Sequence, residues 1–277
     1  MQITSAMKMV SAAKLKRSQD AIIQMRPYAA KMRDILSSLS SSLDMSENKF
    51  ASKRDISNVL FIVVTSNRGL CGGFNNNVIK ETLRMIREDY VGKSVSVLTV
   101  GKKATDAFKR ADYFTQVSSI PGNADKLWGE LNFSNAAAVI THVLDAYTAS
   151  QIDKVVLVYN SFKNVATQNV KGDQFLPILP PVVVETAKKL NIDYIFEPSK
   201  AEIVADLIPK SLKTQFYSAL LESQAGEHGA RMTAMHKATD NASDLKKALT
   251  LEYNKARQAA ITNEILEIVG GAEALKG

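Results

Sequence analysis

The feature that most constrains this chain is its last stretch, which is long, periodic and free of proline. Between Lys210 and Val269 the only glycines are Gly226 and Gly229. At 100° per residue, one narrow face gathers mostly small or apolar side chains, namely Phe216, Ala219, Leu220, Ser223, Ala230 and Ala234. A helix over this range would be about 90 Å long. Because a compact domain needs far less, we expect it to pack on another long element or to project from the body.

The middle of this predicted helix is unusual, because residues 223–230 are small or polar. A tight coiled coil has Leu or Ile at its seam, whereas small residues allow close approach but interlock weakly. The same face continues through Leu245, Leu249, Ala256 and Ala260. We therefore predict a long helix with a weak, alanine-rich interface.

The first residues predict a second long helix, over Met1–Leu43. Its apolar face holds Ile3, Met7, Val10, Ala21, Met25, Tyr28, Met32 and Leu39. Lys14 and Arg17 interrupt that face, and we expect Pro27 to kink the helix because it removes a backbone donor. The two terminal helices are the only predicted elements long enough to cover each other, so we expect them to pair antiparallel.

Charge and composition limit the function classes. The chain has 277 residues and a formal charge of +7, which suits nucleic acid, an anionic membrane surface or an acidic protein. Seven basic residues and one acid lie within Lys8–Arg33, which fits either a solvated helix face or contact with an acidic surface. Aromatic residues are sparse there, which disfavours a single-stranded nucleic-acid binder. Without an apolar span or signal core, we expect a cytoplasmic protein, or one peripheral on the cytoplasmic face of a membrane.

The middle of the chain predicts an α/β domain. The predicted strands are Val59–Val64, Ser94–Val100, Tyr113–Ser119 and Lys154–Tyr159. Helical segments alternate with them, after Gly73, over Ala104–Lys109 and over Phe133–Ser150. This alternation indicates a three-layer domain with a mostly parallel sheet.

The end of this domain predicts a hairpin and one short strand. Lys163–Val170 and Gln174–Ile178 flank Lys171-Gly172-Asp173, a three-residue turn signal, and Tyr194–Pro198 reads as a last strand. The predicted fold is α/β: a long antiparallel coiled coil of N- and C-terminal helices (1–52 and 201–277) with an inserted Rossmann-like three-layer α/β domain (53–200).

The strand, loop and helix at Val59–Gly73 have the outline of a phosphate-binding loop, because glycine-rich loops at helix N-termini bind anions. Neither the P-loop nor the dinucleotide-binding glycine pattern occurs. Val100-Gly101-Lys102 stands where a ribose-binding acid is expected. A tight turn is the favoured interpretation, with nucleotide binding as the alternative.

No other group of side chains predicts an active site. Cys71, the single cysteine, precedes a helix, where a thiol can be reactive, but no histidine lies near it in sequence and we favour a small structural residue. His228 and His236 lack the i, i+4 spacing of a zinc protease, and His142 is predicted to pack or to lie on the surface. We expect no catalytic residue, no cofactor and no metal.

Several segments resemble the γ subunit of rotary F-type ATP synthases, in that family's order and over almost the whole chain. They are Ile3–Leu15, Asn67–Asn75, Tyr194–Pro198, Glu227–Met235, Ala238–Ala242 and Tyr253–Ile265. Several are long and specific enough to make a chance match negligible. Family members usually carry further residues before the first segment, so we expect the coil to be shorter near its foot. The inserted dithiol segment of the chloroplast members is absent, and we expect no thiol regulation.

The resemblance implies a central-stalk rotor, without catalytic activity of its own, that couples transmembrane proton flow to ATP synthesis by rotation. The terminal helices would form a coiled coil inside a ring of α and β subunits. The α/β domain would contact the ε subunit and the c ring at the cytoplasmic face of the bacterial inner membrane. Carried over as contacts with β are Arg257, Gln258, Thr262, Met7, Lys8 and Met9. Carried over to the foot near the c ring and ε are Tyr194 and Glu197.

Two other hypotheses stay open on the residues alone. One is a nucleotide-dependent α/β enzyme with helical arms, which ATP or NAD binding to the isolated chain would favour. The other is a coiled-coil scaffold or basic nucleic-acid binder, and steeply salt-dependent DNA binding would support the latter. Neither explains the C-terminal segments.

Overall fold

Five helices and four strands make up the described part of the computed structural model, which covers residues 2–40, 49–51, 54–114, 117–165, 167–178, 200–275 and 277. The helices are α1 (Gln2–Ser40), α2 (Phe74–Glu88), α3 (Lys102–Phe108), α4 (Phe133–Thr148) and α5 (Lys200–Ala274). The strands are β1 (Asn58–Val64), β2 (Ser94–Val100), β3 (Lys154–Phe162) and β4 (Gln168–Leu176). A short 3₁₀ helix spans Asp125–Trp128.

The four strands form one sheet in the order β2-β1-β3-β4. β1 pairs in parallel with both β2 and β3, and β4 runs antiparallel to β3 at the edge. The strands predicted at Val59–Val64, Ser94–Val100 and Lys154–Tyr159 are confirmed. Their β-branched side chains are buried on both faces, as in other parallel sheets covered by helices.

Alternate residues of β1 face opposite layers. Leu60 and Ile62 pack with α4 and α5, whereas Phe61 and Val63 pack with α2 and α3. All four side chains are fully buried. Helices therefore cover both faces of the sheet, and the predicted three-layer arrangement is confirmed, with part of the long terminal helix forming one of the layers.

The two long helices pair antiparallel. Ser18 Oγ of α1 donates to Gln224 Oε1 of α5 at 3.0 Å. Nearer the start of α1, Thr4 Oγ1 accepts from Thr239 Oγ1 at 2.8 Å, so the numbering rises along one helix as it falls along the other. The start of α1 thus lies beyond the part of α5 that packs on the sheet.

The buried face of α1 differs from the predicted one. The buried residues are Ser11, Leu15, Ser18, Ile22 and Met32, with the alternating three- and four-residue spacing of a coiled coil over the first four. Ile3, Val10 and Tyr28, which we predicted in the seam, are exposed. Over Ser11–Ile22 the seam lies one position further along the chain, because the predicted register would have buried Lys14 and Arg17. The predicted Met32 is buried, and the predicted Ala21 and Met25 are partly buried against this seam. On α5, the predicted Phe216, Ala219, Leu220 and Ser223 are buried.

The predicted turn at Lys171-Gly172-Asp173 was wrong. β4 runs straight through these residues, and its connection to β3 lies earlier, where Asn164 N donates to Thr167 O at 3.2 Å. At Gly172 the helix α2 approaches closely, because a Cβ there would lie 2.5 Å from Met85 Sδ and displace that side chain. The glycine signals close approach of a helix to the strand.

Two other predicted strands have a different outcome. Around Tyr113–Ser119 the described residues form only an isolated bridge, between Phe114 and Val97. A single bridge fixes this segment beside β2 without extending the sheet. Tyr194–Pro198 lies outside the described residues.

Candidate functional site

The loop between β1 and α2 is held by buried side chains. Ser66 N donates to Asn75 Oδ1 at 2.9 Å, and Ser66 Oγ donates to Arg68 O at 2.6 Å. Asn75 Nδ2 donates to Cys71 Sγ at 3.2 Å. Ser66, Cys71 and Asn75 are all buried, so this network fixes the loop and directs its middle toward α5.

The middle of the loop accepts hydrogen bonds from an arginine of α5. Arg231 Nη2 donates to Arg68 O at 3.0 Å, and Arg231 Nε donates to Gly69 O at 3.3 Å. A phosphate-binding loop presents N–H groups to its ligand, whereas this loop presents carbonyl oxygens to a cation. The geometry therefore favours a structural joint over a nucleotide site, and disfavours the nucleotide-dependent enzyme hypothesis.

Arg231 also anchors two neighbours on its own helix. Its Nη1 lies 2.6 Å from Glu227 Oε1 in a buried ion pair, and 3.4 Å from His228 Nδ1. Burial raises the pKa of Glu227, and Arg231 opposes that rise. Burial, with the nearby charges of Arg231 and Lys14, lowers the pKa of His228 to about 4. At neutral pH the imidazole is uncharged and accepts from the arginine at Nδ1.

Cys71, the candidate nucleophile, is poorly placed for catalysis. Burial raises the pKa of the Cys71 thiol, so the thiolate is disfavoured. The described contact of the His228 ring nitrogen is with Arg231 Nη1 at 3.4 Å. Among the described residues no group of His, Cys, Asp and Glu has the arrangement of a metal site.

Arg257, Gln258 and Thr262 lie together on the far end of α5. All three are exposed, and Thr262 Oγ1 donates to Gln258 O at 2.9 Å, as a solvent-facing helical threonine does. Every described residue from Asp244 onward is exposed, over about 45 Å of helix. The end of α5 thus projects from the rest of the described structure.

The projecting end carries many large apolar side chains. They include Leu245, Leu249, Leu251, Tyr253, Ile261, Ile265, Leu266, Ile268 and Val269. Exposed apolar surface of this extent marks a site of interaction with another protein.

The second predicted contact group lies at the start of α1. Met7 and Lys8 are half-buried and Met9 is exposed. Because Thr4 lies alongside Thr239 and the two helices run antiparallel, Met7–Met9 lie about 33 Å along α5 from Arg257. The structure places the two groups at different levels and does not bring them together. Tyr194 and Glu197 lie outside the described residues.

Sequence reasoning missed Arg231 and Glu227 as functional residues. The available signal was a Glu–Arg pair at i, i+4 within a stretch of otherwise small residues. We interpreted that stretch only as a weak helix seam.

Comparison with known proteins identifies the family. A family model described as ATP synthase matches residues 1–275. The ATP synthase γ chain of Christiangramia forsetii is 53% identical over 278 residues, covering 100% of this chain and 94% of the relative. The chain belongs to the ATP synthase γ chain family. The γ chain of Chlorobaculum tepidum is 46% identical over 99% of this chain and 94% of its own length.

Solved structures agree with this assignment. The central stalk and c ring structure of Tetrahymena thermophila mitochondrial ATP synthase contains a chain with a TM-score of 0.58 and 25% identity. That match covers 86% of this chain and 99% of the other. A chain of the Euglena gracilis mitochondrial enzyme has the same fold, with a TM-score of 0.57 at 21% identity, over 98% of this chain and 95% of the other.

Membership of the γ chain family accounts for the character of the surface. A γ chain is a rotor subunit of the central stalk and is not catalytic alone. We therefore expect its distinctive features to be contact regions. Here they are the projecting end of α5 and the joint between α5 and the β1–α2 loop. None of the described helices has the length and apolar character that a bilayer-crossing segment needs.

Proposed function

We propose that the chain couples transmembrane proton flow mechanically to ATP synthesis on the β subunits. The observation that carries this proposal is the projecting end of α5, where a single helix about 45 Å long exposes a large apolar surface. Such a surface needs a surrounding partner. A ring of α and β subunits around the helix end provides one.

Rotation combines the small free energies of several charge movements across the membrane into the larger free energy needed to form one ATP. Moving one charge across a membrane yields roughly 2.3 kcal/mol per 100 mV, so several such steps are pooled for each ATP formed. An asymmetric shaft pools them by favouring a different conformation in each β subunit as it turns. Only its differential contacts with those conformations matter.

The contacts divide between two ends. Arg257, Gln258 and Thr262 contact loops of β, and Met7, Lys8 and Met9 face β at a lower level. The basic run of α1 faces acidic residues of β. Residues 53–200 form the foot, where Tyr194 and Glu197 lie near the c ring and ε. The proposed location is peripheral, on the cytoplasmic face of the bacterial inner membrane.

The stiffness of the shaft supports the proposal. α5 packs on the sheet through Ile208, Leu212 and Phe216 and on α1 through Leu221 and Ala225. The joint at Arg231 then ties the helix pair to the β1–α2 loop. Torque applied to the foot is therefore transmitted to α5 through packed contacts.

Replacing Arg257 and Gln258 together by alanine tests the contact assignment. We expect ATP synthesis in inverted membrane vesicles to fall several-fold, because the loops of β lose charged and amide partners, while assembly of the complex is retained. Lys237→Ala, an exposed substitution on α5 outside the contact set, is the matched control. Normal synthesis in the double variant would contradict the assignment.

A further inference from the structure

One face of α5 follows the β3 side of the domain. Glu222, Gly226 and Gly229 are spaced by four and then three residues, so they lie on the same face of the helix. Ser161 Oγ of β3 donates to Glu222 Oε2 at 2.8 Å. A Cβ at Gly226 would lie 3.2 Å from Gln168 Cγ at the start of β4. This face of α5 therefore extends along the sheet to the turn that joins β3 and β4.

The turn between β3 and β4 approaches the backbone of α5 at Gly229. A Cβ at this position would lie 3.1 Å from Val165 O and 3.5 Å from Val165 Cα. Both are backbone atoms, so rotation of a side chain does not move them away. Glycine is unfavourable inside a helix, and its use here is explained by the close approach of another backbone. A larger residue at position 229 must push the turn away from α5.

Hydrogen bonds within the turn hold it in this place. Thr167 N donates to Asn164 Oδ1 at 2.7 Å, and Gln168 Nε2 donates to Val165 O at 3.0 Å. The same Gln168 Nε2 would lie 3.7 Å from a Cβ at Gly229. The side chain of Gln168 therefore braces the carbonyl group that meets Gly229.

The Arg231 joint holds α5 from nearly the opposite side. Two residues that are two positions apart in an α-helix point about 200° apart, so Gly229 and Arg231 face away from each other. Arg231 Nη2 donates to Arg68 O at 3.0 Å, whereas Gly229 faces Val165. The β1–α2 loop at Arg68 and the β3–β4 turn at Val165 thus form a collar around α5.

We propose that Gly229 is a positioning residue for rotation, because it lets the collar close on both sides of α5 and fix the angle of the helix relative to the domain. This inference rests on the proposed function, in which torque passes between the foot and α5. A helix that is held from one side twists about that contact. Contacts on opposite sides resist a twist in either direction.

Spin labels measure the position of α5 relative to the domain in the full chain. We would label Lys80→Cys on α2 and Lys237→Cys on α5, which are exposed, whereas the native Cys71 is buried. Double electron–electron resonance gives the distribution of distances between the labels. Gly229→Leu should make this distribution at least twice as wide, because leucine pushes the turn away and frees one side of the helix. An unchanged width would overturn the proposal.

Two further variants complete this experiment. Lys210→Leu introduces the same side chain at an exposed position of α5 away from the collar, and it should leave the width unchanged. Gln168→Ala leaves both backbones intact and removes the brace on Val165 O, so it should widen the distribution by a smaller factor. Should Gly229→Leu fail a circular-dichroism check of folding, an unchanged width in Gln168→Ala counts equally against the proposal.

The consequence for the rotor is measured in a surface-anchored F1 complex that contains this chain. A bead attached through Lys80→Cys should fluctuate at rest over a range of angles at least twice as wide in Gly229→Leu as in the native sequence. Fluctuations of native width would overturn the positioning role. The spin-label result does not depend on the rotor function, which the vesicle assay of Arg257 and Gln258 tests separately, so the failure of one is distinguishable from the failure of the other.

Discussion

Arg231 ties the helix pair to the β1–α2 loop of the domain. It neutralises Glu227 on its own helix and donates to two carbonyl oxygens of the β1–α2 loop. Breaking a buried ion pair by removing one partner leaves the other charge uncompensated, which costs far more than the pair itself contributes. The planar guanidinium serves several acceptors at once, so lysine is not an adequate replacement.

Arg231→Ala should therefore lower the free energy of unfolding by about 3–5 kcal/mol. Urea denaturation followed by circular dichroism measures this. Lys210→Ala, which removes an exposed pair with Asp206, is the matched control and should cost less than about 1 kcal/mol. Equal small effects in both variants would show that the joint carries little of the stability.

The low pKa of His228 predicts that the free energy of unfolding depends on pH, and it fixes the direction of that dependence. The folded state keeps the ring neutral down to about pH 4, whereas the unfolded chain binds the proton near the usual value of 6.5. Stability from the neutral ring is therefore present above pH 6.5 and is lost as the pH falls to 4. The full loss is of the order of 3 kcal/mol.

His228→Asn isolates that contribution, because asparagine keeps an acceptor for Arg231 but does not titrate. Urea denaturation at pH 7 and pH 4.5 should show a larger loss of stability for the native chain than for the variant. Glu227, whose pKa is raised, acts in the opposite direction, so the difference between the two proteins is the informative quantity. The same pH dependence in both would contradict the buried, neutral histidine.

At the scale of elements, packing between helices and strands explains the features that we predicted wrongly from local sequence. The β-branched run from Val59 to Val64 predicts a buried strand without outside information, and the structure confirms it. Gly172 looks like a turn residue from its neighbours alone. Only the position of α2 over β4 shows that the glycine makes room for Met85.

Gly172→Ala should destabilise the chain by about 1–3 kcal/mol, because the new methyl group overlaps Met85. In a Met85→Ala background the same change should cost much less, since the obstructing side chain is gone. A double-mutant cycle measured by urea denaturation gives the coupling. Additive effects would place the cost elsewhere than at this contact.

The long helices show which buried faces hydrophobic periodicity predicts and which it does not. The apolar face of α5 was predictable near Phe216, where burial and hydrophobicity agree. The face of α1 was not, because Ser11 and Ser18 are buried while Ile3 and Val10 are exposed. In the surrounding enzyme, apolar residues that lie outside the helix pair are available to contact other subunits. A hydrophobic pattern alone does not distinguish an internal seam from an external interface.

At the scale of the whole molecule, the fold and the site were predictable to different degrees. The α/β domain between two terminal helices followed from alternation and length. The segment around Arg257 was assigned through its resemblance to the γ family, since an exposed helix end carries no internal signal of its partner. The Arg231 joint was visible only in the three-dimensional structure, because its residues come from distant parts of the chain.

In the proposed function, the domain and the helix pair rotate together as one body. The most direct test attaches a bead through Lys80→Cys on the exposed surface of α2, in a surface-anchored F1 complex containing this chain. On addition of ATP we predict unidirectional rotation of the bead. A bead that stays stationary while the same complexes hydrolyse ATP would contradict the rotor account.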